Sequence, residues 1–407
     1  MSKIKEYEKY VGSDVINELE FYAGKLTDVK IQNINSTSVG GGVAEILSRM
    51  IPLLRELGIN AYWDVIKGGE KFFEMTKKMH NALHGQQVTY SDEEINLYLQ
   101  TNESNANEMK LNGDIMFIHD PQPCALVKYR QGDEQKWIWR GHVDFSNPEM
   151  FTWNYLKEYI EQYDISVFSA PSFAHKLRIP QVLISPSIDP LSEKNVDLTQ
   201  ETIDSVLEKF NIDKNRPLVT QISRFDYLKD PIGVVKVYKL VKKYIDCQLV
   251  LAGGGATDDP EGTKVLAEVQ EVAANDPDIF LLLLPPASDI EINALQRASN
   301  VILQKSLREG FGLTVAEALW KSKPVIAGAV GGIPLQVTHK YSGLLTYTIE
   351  GTAFALKQLL QNPAYAKKLG ENGHEQIRKN FLITRHLRDY MLLFLSLLHK
   401  TENVVFL

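Results

Sequence analysis

"NVILQKSLREGFGLTVAEALW", residues 300–320, passes from an apolar run through two glycines into a helical pattern. The run "NVILQKS" has the length and apolar content of a strand covered on both faces. Gly310 and Gly312 disfavour a helix through the middle, and "TVAE" offers a start for one, with Thr314 as N-cap and Glu317 as its capping-box partner. Glu309 then stands in a loop ahead of the helix, eight positions before Glu317. Strand, glycine turn and helix in succession form the unit from which parallel sheets with helices on both faces are built.

The same alternation extends through the chain. In the first half the strand candidates are "VKIQNIN", "AYWDVIK", "DIMFIHD", "KWIWRGHV", "ISVFSA" and "QVLISP"; in the second they are "PLVTQIS", "CQLVLAG", "IFLLLLP", "NVILQKS", "PVIAGA" and "GLLTY". Six strands per half are enough for two sheets, and 407 residues exceed one ordinary core. Between the halves, "SPSIDPLSEKN" (185–195) has the proline, serine and charge content of a linker or exposed crossing. The expected domains are 1–187 and 188–383, and the amphipathic helix at 384–407 needs a partner surface for its apolar face. Val43, Ile46, Leu47, Met50 and Leu54 mark a helix that Gly58 stops and Pro52 should kink. Ser91 and Glu94 form a capping box.

Composition excludes several classes of function. Apolar residues are 44% and charged residues 23%, and the net charge is −7 with no long basic block, which argues against a nucleic-acid-wrapping surface. Cys124 and Cys247 are isolated among apolar residues, so two buried free thiols are expected rather than a disulfide or a metal site. No apolar stretch approaches 20 residues and the N-terminus lacks an apolar signal core, so no membrane partner is expected and a cytoplasmic location follows by default.

Candidate chemistry sits in the loops after strands. Gly40-Gly41-Gly42, Gly253-Gly254-Gly255 and Gly331-Gly332 join Gly310 and Gly312 as glycine-rich turns, where helix N-termini present free N–H groups to anions. Taken singly, each reads better as a tight turn with no ligand; together they shift the balance toward phosphate or sugar binding. After "PLVTQIS", the segment "SRFDYLKDP" carries Arg224 and Lys229, a bidentate cation and a mobile one suited to a diphosphate without a metal. Their structural alternative is pairing with Asp226 or Asp230. A sugar-hydrolase reading of Glu309 and Glu317 is disfavoured, because a carboxylate among helix-start N–H groups is a poor proton donor.

Together Glu309 and Glu317 as an E-x₇-E pair, "SRFDYLKD" and "STSVGGG" resemble the retaining nucleotide-sugar glycosyltransferases of family 4. "HDPQP", "WIWRGHVDFSNP", "SPSIDPLSEKN", "NALQRAS" and "FLITRHLRDY" extend the resemblance to the trehalose glycosyltransferring synthases, over nearly the whole chain. It implies a GT-B fold of two Rossmann-like doubly wound domains facing across a cleft, with the C-terminal helix crossing back to the N-terminal domain. It also implies glucose transfer from UDP- or ADP-glucose to free glucose, with retention, to give α,α-trehalose.

The donor-binding residues implied are Arg224 and Lys229 for the diphosphate, Glu317 for the ribose and Glu309 for the sugar. Gly310, Phe311, Gly312, Leu313 and Thr314 line the same turn, and Gly40, Gly41 and Gly42 approach the phosphates from the first domain. His142 lies near the hexose and counts with Glu309, Arg224 and Lys229 among the catalytic candidates; Asp64, Asp120 and Gln122 join it as acceptor contacts. No metal and no cofactor beyond the substrate is implied, small-molecule substrates are the expected partners, and a homodimer is left open. The alternatives are a retaining trehalose phosphorylase using phosphate, a family 4 transferase with another acceptor, and a non-catalytic sugar-nucleotide sensor.

Overall fold

The computed structural model describes residues 3–38, 41–254, 260–285 and 287–399; Gly40 and Gly255 lie outside them. The chain divides into two compact units, residues 1–187 with 383–407, and residues 188–382.

The first unit holds β1 (Lys30–Asn35), β2 (Asn60–Val65), β3 (Ile115–His119), β4 (Lys136–Arg140), β5 (Ile165–Phe168) and β6 (Gln181–Leu183). They form one sheet in the order β2-β1-β3-β4-β5-β6, every pairing parallel. The order of strands across the sheet therefore reverses between β1 and β3: the chain leaves β1 toward β2 on one side and returns to β3 on the other. In open α/β sheets, ligands bind at the carboxyl ends of the strands at such a reversal.

The second unit repeats the plan with β7 (Leu218–Ile222), β8 (Gln248–Gly254), β9 (Ile279–Leu284), β10 (Val301–Gln304), β11 (Val325–Gly328) and β12 (Leu344–Thr346). Their order is β12-β11-β10-β7-β8-β9, again all parallel, and the reversal lies between β7 and β10. Central strands such as β3, β7 and β10 are buried at every position, which is why they read as continuous apolar runs, whereas the edge strand β2 is partly exposed. All twelve expected strands are present.

Several local expectations carry over into contacts. The helix Gly41–Glu56 keeps Pro52 inside it and buries Ile46, Leu47, Met50 and Leu54. The Ser91–Glu94 capping box is complete, with Glu94 N–H donating to Ser91 Oγ at 3.2 Å and Ser91 N–H to Glu94 Oε2 at 2.8 Å. Both cysteines are free and buried.

Two expectations are corrected. The proline- and serine-rich segment 185–195 is no exposed linker: Pro186, Ser187, Ile188, Pro190, Ser192 and Asn195 are buried. Its polar groups are used internally, with Asn195 Nδ2 donating to Asp189 O at 2.9 Å and Lys321 Nζ to Asn195 Oδ1 at 3.0 Å. Its prolines and serines satisfy a crossing whose backbone must be hydrogen-bonded out of water.

The second correction concerns "TVAE". The helix begins two residues early, at Leu313, behind Gly312 as N-cap with φ +85°, and no side chain caps it. Thr314 Oγ1 instead donates to Gln304 Oε1 at 3.1 Å. Glu317 accordingly falls at the fifth helical position and faces inward. The left-handed backbone at Gly312 made the earlier start possible.

The C-terminal helix Ile383–Leu398 belongs to the first unit rather than the second. Tyr390 and Phe394 pack edge-on against Phe117 of β3, and Arg388 lies 3.8 Å from Glu18 on the helix Ser13–Gly24. Each such fully buried aromatic or leucine contributes about 2 kcal/mol of transfer free energy. Among the described residues, no helix is long and apolar enough to cross a membrane.

Candidate functional site

The second unit's reversal point collects most of the expected donor residues. Arg224 and Lys229 follow β7, and Ser306 and Glu309 follow β10, the strand beside it. Lys229 Nζ donates to Glu309 Oε2 at 2.7 Å, and Ser306 Oγ donates to the same oxygen at 3.0 Å. Glu309 is only 8% exposed, so this is a largely dehydrated charge pair in which both groups are held in place. Arg224 behaves differently: it pairs with Asp226 at 3.0 Å and remains exposed, which is the structural use foreseen for it.

Glycines hold the Glu309 turn by close approach. A Cβ on Gly331, whose φ is +55°, would overlap the carbonyl of Glu309, and one on Gly332 would crowd Gly310 and Phe311. Gln336 Nε2 donates to Phe311 O at 2.6 Å from the same side. Gly331 and Gly332 therefore shape the loop that carries Glu309. Gly253 likewise has a packing reason, since a Cβ there would run into the carbonyl of Ser223. Leu313 and Thr314 open the helix that follows, with its free N–H groups at its start.

Glu317 is 2% exposed and accepts from Gln296 Nε2 at 3.2 Å. One turn further on, Lys321 is buried, and desolvation lowers its pKa to about 7. Glu317 thus joins the polar interior behind the helix, not the Glu309 turn.

In the first unit, the reversal point carries a chain of neutral groups. Asn33 Nδ2 donates to Tyr62 O at 3.3 Å, which turns its Oδ1 toward His119 Nε2 at 3.1 Å. His119 must then carry its proton on Nε2 and offer the Nδ1 lone pair to His142 Nε2, 3.0 Å away. His142 in turn presents its own Nδ1 lone pair toward Arg140 Nε, at 3.5 Å. Burial lowers the His119 pKa to about 3, and burial beside Arg140 and His119 holds His142 well below the ordinary histidine value. Both rings are uncharged at neutral pH.

Asp120 adopts the left-handed conformation, φ +67°, at the end of β3. Its Oδ1 accepts from the His142 N–H at 2.8 Å, and burial raises its pKa to about 7. Backbone held in a sparsely populated region by surrounding bonds is a common mark of a working site. Asp64 accepts from Gln32 at 2.8 Å on the β1/β2 side, while the Gln122 side-chain oxygen is buried without a partner. Gly41, with φ +79°, and Gly42 begin the helix after β1 and are exposed. Among the described residues, no group of three or more His, Cys, Asp or Glu could hold a metal ion.

Sequence reading missed His119 as the partner of His142 and Asn33 as the partner of His119, and Gln221, Lys305 and Ser306 around Lys229. Asn33 and His119 lie inside stretches that read as strands, "VKIQNIN" and "DIMFIHD". "KDP" did carry a legible signal, an aspartate N-cap before proline at the first helical position.

This geometry meets the comparisons with known proteins. Residues 33–175 match the family described as trehalose synthase, N-terminal domain, and residues 202–376 match glycosyl transferases group 1. The chain is 42% identical to a trehalose synthase of Thermococcus litoralis over 96% of both chains, and 42% identical to one of Rubrobacter xylanophilus over 97% of both. A trehalose phosphorylase of Pleurotus pulmonarius is more distant, at 28% over 90% of this chain and 57% of its own length. Among solved structures, a sucrose-phosphate synthase from Thermosynechococcus elongatus superposes with a TM-score of 0.72 at 18% identity, covering 91% of this chain and 99% of its own. That likeness is one of fold, the two-domain GT-B architecture.

Proposed function

Because the chain belongs to the trehalose synthase family of group 1 glycosyltransferases, we propose that it makes α,α-trehalose from a nucleoside diphosphate glucose and free glucose. The donor is UDP-glucose or ADP-glucose, and the transferred glucose keeps its configuration.

The observation that carries this reading is the Lys229–Glu309 pair, 2.7 Å apart at the β7/β10 reversal. An ammonium and a carboxylate side by side suit a ligand that is itself half anion and half sugar. Lys229, with Arg224 turned from Asp226, neutralises the diphosphate, and Glu309 accepts hydrogen bonds from the donor sugar hydroxyls. The N–H groups of Leu313 and Thr314 add to the field on the phosphate. Glu317, 2% exposed and bonded to Gln296, takes the ribose only where that bond opens to admit it.

In the first unit, the uncharged His142 ring serves sugar hydroxyls together with Asp120, Asp64 and Gln122. The 3.5 Å contact from Arg140 is long for a hydrogen bond, so a hydroxyl donor displaces it from His142 Nδ1 at little cost. In the reaction the bond from glucosyl C1 to the phosphate oxygen breaks and a bond from C1 to the acceptor's anomeric oxygen forms. The acceptor's proton passes to the departing phosphate oxygen. Stabilising the leaving group is the protein's main contribution, and Lys229 is the residue placed to give it.

The test incubates purified protein with glucose and, separately, UDP-glucose, ADP-glucose or glucose 1-phosphate, and measures trehalose. Trehalose from a nucleoside diphosphate glucose is the expected result; trehalose from glucose 1-phosphate alone would sink the reading in favour of a phosphorylase.

A further inference from the structure

Lys229 lies on a short turn, and five contacts outside the Glu309 pair decide where that turn sits. Gln221, at the end of β7 and buried, donates from Nε2 to Lys229 O at 2.9 Å, while its Oε1 accepts from Lys305 N–H at 3.0 Å. Leu307 N–H donates to Leu228 O at 2.7 Å. The Asp230 carboxylate pairs with the ammonium of Lys305, which is 8% exposed. Asp230 Oδ1 also accepts from Gly233 N–H at 3.0 Å, capping the helix Pro231–Lys242.

Asp230 makes these bonds from a left-handed backbone, φ +47°, a conformation that disfavours any residue except glycine. Glycine would meet this backbone at lower cost, but without the two side-chain bonds. Gly233 is shaped to the same end, because a Cβ on it would overlap the Asp230 carboxylate. The strain is tolerated where a buried cation and a helix N–H hold the side chain. Lys305 has no other ion-pair partner among the described residues, so its charge is left in the interior if Asp230 is removed.

We propose that Gln221, Asp230 and Lys305 are positioning residues that lock the Lys229 turn against the β10 loop, so that the Lys229 ammonium is fixed where the donor diphosphate arrives. This rests on the reading of Lys229 as a diphosphate ligand. A flexible lysine held from its backbone loses less freedom on meeting phosphate and stays in register with Glu309. The lock acts on the donor side alone.

The experiment titrates UDP and ADP into the full-length protein by calorimetry, with wild type, Lys229→Met, Lys305→Met, Asp230→Gly and Gln221→Leu. Glycine suits the backbone at 230, so Asp230→Gly tests the lock without depending on a strained fold. Displacing an aligned group by about an ångström weakens its action about 10- to 100-fold. The expected result is a loss toward the Lys229→Met level in the lock variants, with partial rescue by Lys305→Arg. In steady state the donor KM rises and kcat falls while the glucose KM is unchanged, a split that general destabilisation does not give. Wild-type binding in both Asp230→Gly and Gln221→Leu overturns the lock alone. Equal binding by wild type and Lys229→Met overturns the diphosphate reading, and the lock falls with it.

Discussion

At the β1/β3 reversal of the first sheet, His119 and His142 are uncharged and share a hydrogen bond, whereas at the β7/β10 reversal of the second, Lys229–Glu309 and Lys305–Asp230 form two ion pairs. Both places arise from the same parallel six-strand plan. What separates them is the side chains that each pair of neighbouring strands delivers. Histidines buried beside Arg140 shed their protons, because a second positive charge out of water costs more than it returns. In the ion pairs each charge has an opposite partner at contact distance, which offsets the cost of taking it out of water. A neutral, oriented donor and acceptor chain matches hydroxyl groups, and a charged pair matches a phosphate.

Breaking the charged site has the largest expected effect. Glu309→Gln keeps the shape and removes the charge, so it should leave nucleotide binding near wild type while lowering kcat roughly 100-fold or more. Calorimetry alongside initial rates checks it; unchanged turnover would return Glu309 to a structural role. Gly331→Ala attacks the loop that holds Glu309, and the collision with its carbonyl, added to the left-handed φ, should cost roughly 3 kcal/mol in urea unfolding.

Charging the neutral site is the next test. Asn33→Asp sets a carboxylate against His119 Nε2 and should raise that ring's pKa by about 1 to 3 units, read by NMR titration of the histidine rings. A histidine titration identical to wild type would break the assignment of the chain. The wild-type protein should also lose stability in acid. His119, His142 and His386 are all held below the ordinary 6.5, so the unfolded chain takes up protons that the native chain refuses. Each contributes stability fully present above about 6.5 and lost as pH falls, at about 1.4 kcal/mol per pH unit. Asp120, raised from 3.8 to about 7, acts in the opposite sense: its contribution is lost as pH rises through that window. One carboxyl against three rings leaves a net fall in thermal midpoint below about pH 6. Smallest of all, Ser91→Ala removes a cap remote from both reversals and should cost about 1 kcal/mol with no change in rate.

Legibility in the sequence followed the range of the interaction. The strands, the Ser91 cap and the buried cysteines were readable because each depends on residues within one or two turns of itself. Glu309, Lys229 and Arg224 were found as loop residues after strands, through motifs that keep chemistry at the carboxyl edge. The Thr314 cap failed although it is equally local: Gly312 could adopt a left-handed N-cap and start the helix sooner, and Thr314 then found Gln304 from the neighbouring strand. The segment 185–195 was misread for a related reason, since proline and serine are as compatible with a buried, hydrogen-bonded crossing as with an exposed linker.

By itself, then, the sequence determined the alternation of strand and helix, the glycine turns and the identities of the charged residues that follow β7 and β10. The tertiary structure alone decided which partner each receives. Lys229 meets Glu309 across 80 residues, and His119 meets Asn33 across 86, because β10 lies beside β7 and β3 beside β1. Strand order is set by how whole helices and sheets bury their apolar faces against each other, a long-range balance that no local pattern encodes.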